Sequence, residues 1–247
     1  MSGHSKWSTI KRQKGVNDAK RGLQFTKLAN AITIAVRQGG GTTDPAMNFR
    51  LRLAIDAART MNMPKDNIER AVQRAAGKQG TDVIEATYEG FGPGGFSVIV
   101  ETVTDNKQRT VSDVKNIFEK NGGTIGNPGS VSYQFQQRGL ITIAKGSYSS
   151  DEIFLIAADQ GAEDVEEAGQ EVLVYTKPDA LAKVRDSLQS EDLKVSGAEL
   201  VWKPIVLLPL TEKGVADRAL GFLDKLEELD DVQKVYANFD IPDSLFV

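Results

Sequence analysis

Between Lys78 and Asp82 the spacing of apolar residues changes, and that change limits the fold more than any other feature of the chain. Before it, apolar side chains recur at every third or fourth position, the period of one helical face. After it they alternate, the period of a half-buried strand. No single-class architecture accommodates both halves, so a helical unit must be joined to α/β material.

In the first part, Phe25, Leu28, Ile32, Ala35 and Val36 mark a helix that starts at Asn17 or Asp18 and stops at Gly39-Gly40-Gly41. Asp44 as cap and Pro45 at the first helical position predict the start of a second helix. Its buried stripe is Met47, Leu51, Ala54, Ile55 and Ala58, which leaves Arg52 and Arg59 on another face. Pro64 breaks it, and Ile68, Ala71, Val72 and Ala75 carry a third helix as far as Gly77.

After the change of period, strands are predicted over 86–91 and 96–104, joined by Gly92-Pro93-Gly94-Gly95. A helix follows on Val111, Val114, Ile117 and Phe118, then a strand over 130–136. Residues 139–202 read alone as strand, helix, strand, strand, helix, strand, which is the split order of a ferredoxin-like unit. The tail gives an extended 204–208, a helix over 211–229 and a strand over 233–239. The expected fold class is α+β: a three-helix domain followed by two α/β, ferredoxin-like domains, one inserted into the other. The domains are 1–78, helical with a flexible basic leader; 79–138 with 203–247, split; and 139–202, inserted.

Composition narrows the chemistry. There is no cysteine, which removes disulfides, thiolate zinc sites, iron–sulfur clusters and cysteine nucleophiles. The only histidine is His4, so no multi-histidine metal site exists. No apolar run approaches a membrane span, and the opening MSGHSKWSTIKRQ has no apolar core of a secretory signal; a cytoplasmic location is expected. Gly90–Gly95 spells G-x-G-x-x-G, yet a strand follows it instead of the helix a dinucleotide site needs, so it reads as a hairpin connection. Glu101, Asp105 and Asp230-Asp231 read as solvated or capping groups, and the acidic runs 163–171 and 224–231 as a soluble face or a contact for a basic protein. No catalytic residue, metal site or cofactor is assigned.

The net charge of −4 hides a partition. Residues 1–78 hold 15 Lys and Arg against 5 Asp and Glu, a balance of +10, and the rest holds 15 against 29, a balance of −14. A basic face on an otherwise acidic chain points to a polyanion. The expected nucleic-acid contacts are Lys6, Lys11, Arg12, Lys14, Lys20, Arg21 and Lys27. Lys20 and Lys27 point away from the apolar stripe, and Trp7 is placed either to stack on a base or to anchor the leader. His4 reads as a phosphate or base contact, or as a residue without a role.

Several blocks are familiar as a set: GHSKW (3–7), DAKRG (18–22), the glycine run 39–41, MPKDNIERA (63–71), YEGFGPGG (88–95), TDN with Arg109-Thr110, NGG (121–123) and GSV (129–131). Together they resemble the YebC/PmpR family over the whole chain. The resemblance implies a helical domain and two α/β domains, and a non-enzymatic role linked to nucleic acid. Members are described as transcriptional regulatory proteins that bind DNA, and a mitochondrial relative is a translational activator of cytochrome c oxidase. Others resemble ribosome-associated factors that bind ribosomal RNA and relieve stalling at consecutive prolines. The break at 39–43 could pass for the turn of a helix-turn-helix, but the next helix opens with few base-reading side chains. The expected function is a non-enzymatic, nucleic-acid-binding regulator of gene expression; the resemblance implies DNA binding and regulation of transcription, while the scarcity of base-reading side chains leans slightly toward RNA. The alternatives are a translation factor on the ribosome, an adaptor working through the acidic face, and a metal-dependent hydrolase between the α/β domains.

Overall fold

The computed structural model describes residues 18–77, 83–146 and 148–245. Helices are numbered from the first described one. The helical unit consists of α1 (Asp18–Gln38), α2 (Phe49–Thr60) and α3 (Lys65–Ala76). Ile32, Val36, Leu51 and Ala58 are fully buried where the three meet. Gly40 and Gly41 adopt φ of +67° and +85°, which ends α1 where other residues would be strained.

The second helix starts later than the Asp44-Pro45 signal predicts. Asp44 accepts from the Ala46 N–H at 2.8 Å in a local turn, and the cap passes to Asn48. The Asn48 side chain accepts from the Leu51 N–H at 3.1 Å and donates to the Ala35 carbonyl at 2.8 Å. A buried amide that ties the end of α1 to the start of α2 outweighs a cap exposed to water. Met47 precedes the helix and is 80% exposed, contrary to its place in the expected stripe.

The chain continues through β1 (Ile84–Phe91), β2 (Ser97–Thr104), α4 (Lys107–Lys120) and β3 (Thr124–Ile125). Next come β4 (Phe135–Ala144), α5 (Ser150–Asp159), β5 (Asp164–Ala168), β6 (Glu171–Thr176), α6 (Leu181–Ser190) and β7 (Val195–Pro204). It closes with β8 (Leu208–Pro209), α7 (Lys213–Glu227), β9 (Val232–Ala237) and β10 (Phe239–Asp240). One antiparallel sheet has the order β3-β1-β2-β9 and so gathers strands from both sides of the intervening segment; the other has the order β5-β6-β4-β7, and β8 pairs with β10 in parallel. Residues 92–96 join β1 to β2, and within β1 a side chain at Gly90 would collide with the Thr124 carbonyl and the Phe118 ring. The strand expected over 130–136 is absent. β3 lies earlier, Ser132–Gln134 form a 3-10 turn, and β4 begins at Phe135.

Each sheet carries helices on one face. Val98 and Val100 pack with Val114, Phe118 and Phe222, and the Phe118 and Phe222 rings meet edge to face at 5.0 Å. Ile141, Ile143, Val172 and Val174 pack under Ile153, Leu181 and Leu188. The remaining faces meet each other: Ile99 and Tyr236 of the first sheet form one cluster with Leu173, Tyr175 and Val201 of the second. Strand β7 is an edge, and its Leu200 carbonyl is met by the Lys234 ammonium at 3.2 Å and the Tyr236 hydroxyl at 3.5 Å. Side chains occupy a position where another strand would otherwise add.

Candidate nucleic-acid interface

The helical unit concentrates cations, and the structure divides them into two groups. One group holds units together. Lys27 is half-buried, and its ammonium donates to the Glu227 carbonyl at the C-terminus of α7. It points away from the helical core, as expected, but towards another unit and not towards water. The negative end of a helix is a favourable place for a cation. Arg37 donates to the Val83 carbonyl at 2.9 Å. Arg52, expected on a face other than the buried stripe, lies 5.3 Å from the centre of the Phe49 ring and 3.7 Å from Asp186.

The other group is displayed. Arg21 is exposed on α1, and Lys20 belongs to the first turn of that helix, its side chain outside the described ones. On α3, Ile68 and Ala71 face the core while Lys65, Arg70 and Arg74 face water. Lys65 pairs with Glu69 at 3.4 Å, and Arg70 is steadied by the Asn67 side chain and the Asp66 carbonyl. Among the described residues nothing pairs with Arg74. These α3 cations lie outside the expected set, although their four-residue spacing from Arg70 to Arg74 shows in the sequence. His4, Lys6, Trp7, Lys11, Arg12 and Lys14 lie outside the described residues.

The start of α2 is not open to a nucleic-acid groove. Phe49 and Leu53 pack against the core under α5 and α6. Arg185, only 5% exposed, stacks over the Phe49 ring at 5.3 Å, pairs with Asp186 at 2.6 Å and reaches Asp56 at 3.6 Å. One side of the start of the would-be recognition helix is thus packed, partly buried, against another unit, while Arg50 stays exposed.

The motif carboxylates hold loops in place. Glu89, 8% exposed, accepts from the N–H groups of Gly129, Val131 and Ser132, each at 2.8 Å. Burial pushes its pKa up, but these backbone donors and the Ser132 hydroxyl win and hold it below the ordinary value. Two of the familiar blocks, YEGFGPGG and GSV, are therefore parts of one contact. Asp231 likewise collects the Thr110 hydroxyl at 2.7 Å, the Thr104 hydroxyl at 3.1 Å and the Arg109 guanidinium at 2.9 Å. Its carboxyl lies below the ordinary range despite burial, because those donors favour the charged form.

Asp231 and Glu101 correct the reading of these groups as solvated. Glu101 accepts from the Trp202 indole at 2.9 Å and the Tyr236 hydroxyl at 3.3 Å, bridging the two sheets. Burial, with Glu101 and Glu199 beside it, drives the Tyr236 phenol well above its ordinary value. The acidic run on β5 is largely paired within its own unit: Glu163 with Arg138, Glu167 with Lys145 at 2.6 Å, and Glu166 with Lys203 at 2.8 Å. Among the described residues no group of His, Asp and Glu is arranged to hold a metal ion, and no helix is long and apolar enough to cross a membrane.

Fold and site together define a class: an α+β protein of several units, with displayed cations on the helical one and motif carboxylates that fix backbone. Residues 5–78 match the description "TACO1/YebC protein N-terminal domain", and residues 83–239 match "TACO1/YebC second and third domain". The chain belongs to the TACO1/YebC family. A "Probable transcriptional regulatory protein" from Roseiflexus castenholzii is 50% identical, with 99% of this chain and 97% of that one covered. One of the same description from Chloroflexus aggregans is 49% identical over 99% and 98%. The crystal structure of a conserved hypothetical protein from Aquifex aeolicus superposes with a TM-score of 0.86 at 41% identity, covering 92% of this chain and 93% of that one.

Proposed function

We propose that this chain is a non-enzymatic regulator of gene expression that binds the backbone of nucleic acid through its helical unit. The contacts are Lys6, Lys11, Arg12, Lys14, Lys20 and Arg21, with Trp7 stacking on a base or anchoring the leader. Lys65, Arg70 and Arg74 of α3 extend this set. The observation that carries the reading is the partition of charge, +10 on residues 1–78 against −14 on the rest, together with the outward cations of α3. The names of the relatives support a regulatory role.

The burial of Phe49 and Leu53 bears on which nucleic acid is bound. With Phe49 and Leu53 packed on another unit, α2 has only part of its first turn, Arg50 included, left to face a major groove. Contacts made by displayed lysines and arginines position a protein on phosphates and carry little sequence information. That favours a structured RNA surface, the ribosome included, over a DNA operator read by α2.

The test is fluorescence anisotropy on duplex DNA and on a structured ribosomal RNA fragment, over a series of salt concentrations. If the double variant Arg70→Glu/Arg74→Glu removes two phosphate contacts, the log–log salt slope falls by about 1.4–1.8, and affinity falls alike for all sequences. An unchanged slope refutes the role of α3. Crosslinking in cells separates the targets: fixed positions in ribosomal RNA support the RNA reading. A few promoter segments, bound at least about a thousandfold above non-specific DNA, support direct transcriptional control.

A further inference from the structure

Helix α5 (Ser150–Asp159) carries more apolar surface than its own fold uses. Six consecutive apolar residues, Ile153 to Ala158, cover more than a full turn, so no rotation of the helix hides them all. Ile153 and Ala157 are fully buried against the second sheet, whereas Phe154 is 49% exposed, Leu155 is 64% exposed and Ala158 also faces water. The neighbouring α6 has an ordinary outer face: Leu181, Val184 and Leu188 point inward, and Lys183, Asp186 and Gln189 face water. Adjacent large apolar groups displayed on one helix mark a contact surface.

The same helix is acidic and unbalanced. Between Lys145 and Lys177 the chain holds eight Asp and Glu and no Lys or Arg. Those on β5 and just before it are engaged by Arg138, Lys145 and Lys203, and Glu152 accepts from the Ser149 N–H at 2.8 Å in the capping box of α5. Asp151 and Asp159 are exposed and have no partner among the described residues. They stand four residues before and four residues after Leu155, hence on the same face, one turn to either side. Asp159 also lies at the C-terminal end of the helix, where no Lys or Arg offsets the negative end of the dipole. The fold thus places two uncompensated carboxylates at the ends of an apolar stripe.

We propose that the outer face of α5 is the docking site for a cationic amphipathic helix of a protein partner. Phe154 and Leu155 meet its apolar stripe, and Ala158, being small, leaves room for one large side chain of the incoming helix. At the rise of an α-helix Asp151 and Asp159 stand about 12 Å apart, so the partner carries Lys or Arg about seven or eight residues apart beside that stripe. Charge separates this occupant from others. The carboxylates repel a nucleic acid or an anionic membrane, and an uncharged helix leaves the C-terminal end of α5 uncompensated. A helix of 10 residues offers a small contact, so binding is weak and salt-sensitive, as in transient complexes. The inference is independent of the nucleic-acid reading, which concerns the helical unit.

The experiment uses the full chain and three synthetic peptides, each cross-linked on its far side to stay helical. One carries Leu on one face with Lys flanking it, a twin has Glu in place of Lys, and a second twin has Ser in place of Leu. Anisotropy and amide shift mapping at low salt should show saturable binding of the Leu–Lys peptide with a Kd below about 1 mM, and shifts centred on residues 151–159. Leu155→Ser, or the Ser twin, should weaken binding about tenfold. Asp151→Lys/Asp159→Lys should reverse the charge preference, so that the Glu twin binds better than the Lys peptide. Both variants should melt with the parent, since all three side chains face water; should the charge reversal unfold the unit, Leu155→Ser and the two twins decide alone. No saturable binding up to about 1 mM, binding indifferent to Leu155→Ser, or equal binding of the Lys and Glu peptides by the parent overturns the proposal. Shifts centred elsewhere on the acidic units overturn it as well. A dimer in sedimentation that Leu155→Ser abolishes overturns it in favour of self-association.

Discussion

Replacing Glu89 tests the claim that the family's glycine-rich block and its GSV block form one structural device. In Glu89→Ala three backbone N–H groups lose their acceptor. The Val131 amide is buried, and leaving such a donor unsatisfied costs about 1–3 kcal/mol. The Gly129 and Ser132 amides are partly buried, so water replaces the carboxylate in part, at about 0.5 kcal/mol each. The total is about 3 kcal/mol, which for a chain of this size lowers the midpoint of the affected transition by about 6–12 °C.

Glu89→Gln keeps one acceptor oxygen and should lose less, about 1–2 kcal/mol. Because the folded carboxyl lies below its ordinary value, its stabilisation is complete above the unfolded value of about 4.3. It is lost as pH falls through the depressed folded value. Melts by circular dichroism at neutral pH and at about pH 3 should therefore show the gap between parent and Glu89→Gln shrinking in acid. Amide exchange at Val131 should rise in both variants. A drop below about 2 °C for Glu89→Ala, or the same gap at both pH values, refutes the reasoning.

Asp231→Asn should cost about 1–2 kcal/mol by removing the charge that faces Arg109. Its folded carboxyl is likewise depressed, so the parent's advantage holds above about pH 4 and disappears as pH falls further. Arg185→Leu should leave both sheets intact and loosen the helical unit, raising amide exchange over residues 49–55 while β4 and β6 stay protected. Lys27→Ala should weaken nucleic-acid binding less than Arg74→Ala does in the same anisotropy assay, because the Lys27 ammonium is already engaged by the Glu227 carbonyl.

Legibility in the sequence followed the range of the interactions. The helices and the strand–helix–strand–strand–helix–strand order over 135–204 depend on neighbours a few residues away, and period and glycine position reveal them. The start of α2 did not follow, because Asn48 caps it while bonding Ala35, thirteen positions back. The strand expected over 130–136 failed for the same reason. Glu89, forty or more positions earlier, takes the amides that a ladder would need. Glu101 and Asp231 read as solvent groups because their partners lie beyond any local window, at Trp202 and Tyr236 for the first and at Thr104, Arg109 and Thr110 for the second.

The same limit applies to the cations, and there it bears on function. Composition gives the sum of charge in residues 1–78 but not how it is divided between display and docking. Lys27, Arg37 and Arg52 look like Arg70 and Arg74 in sequence, yet the first three are tied to carbonyls or a carboxylate outside the three helices. The acidic character of the α/β units contributes to that docking through Asp186. The partition that points to a polyanion therefore also helps to hold the helical unit in place. Salt would weaken both effects, since both are partly exposed electrostatics. A salt titration of binding thus needs amide exchange over residues 49–55 beside it. If the α2 contact opens at the salt where binding is lost, the slope reports undocking as well as phosphate contacts; if it stays closed, the slope counts phosphates alone.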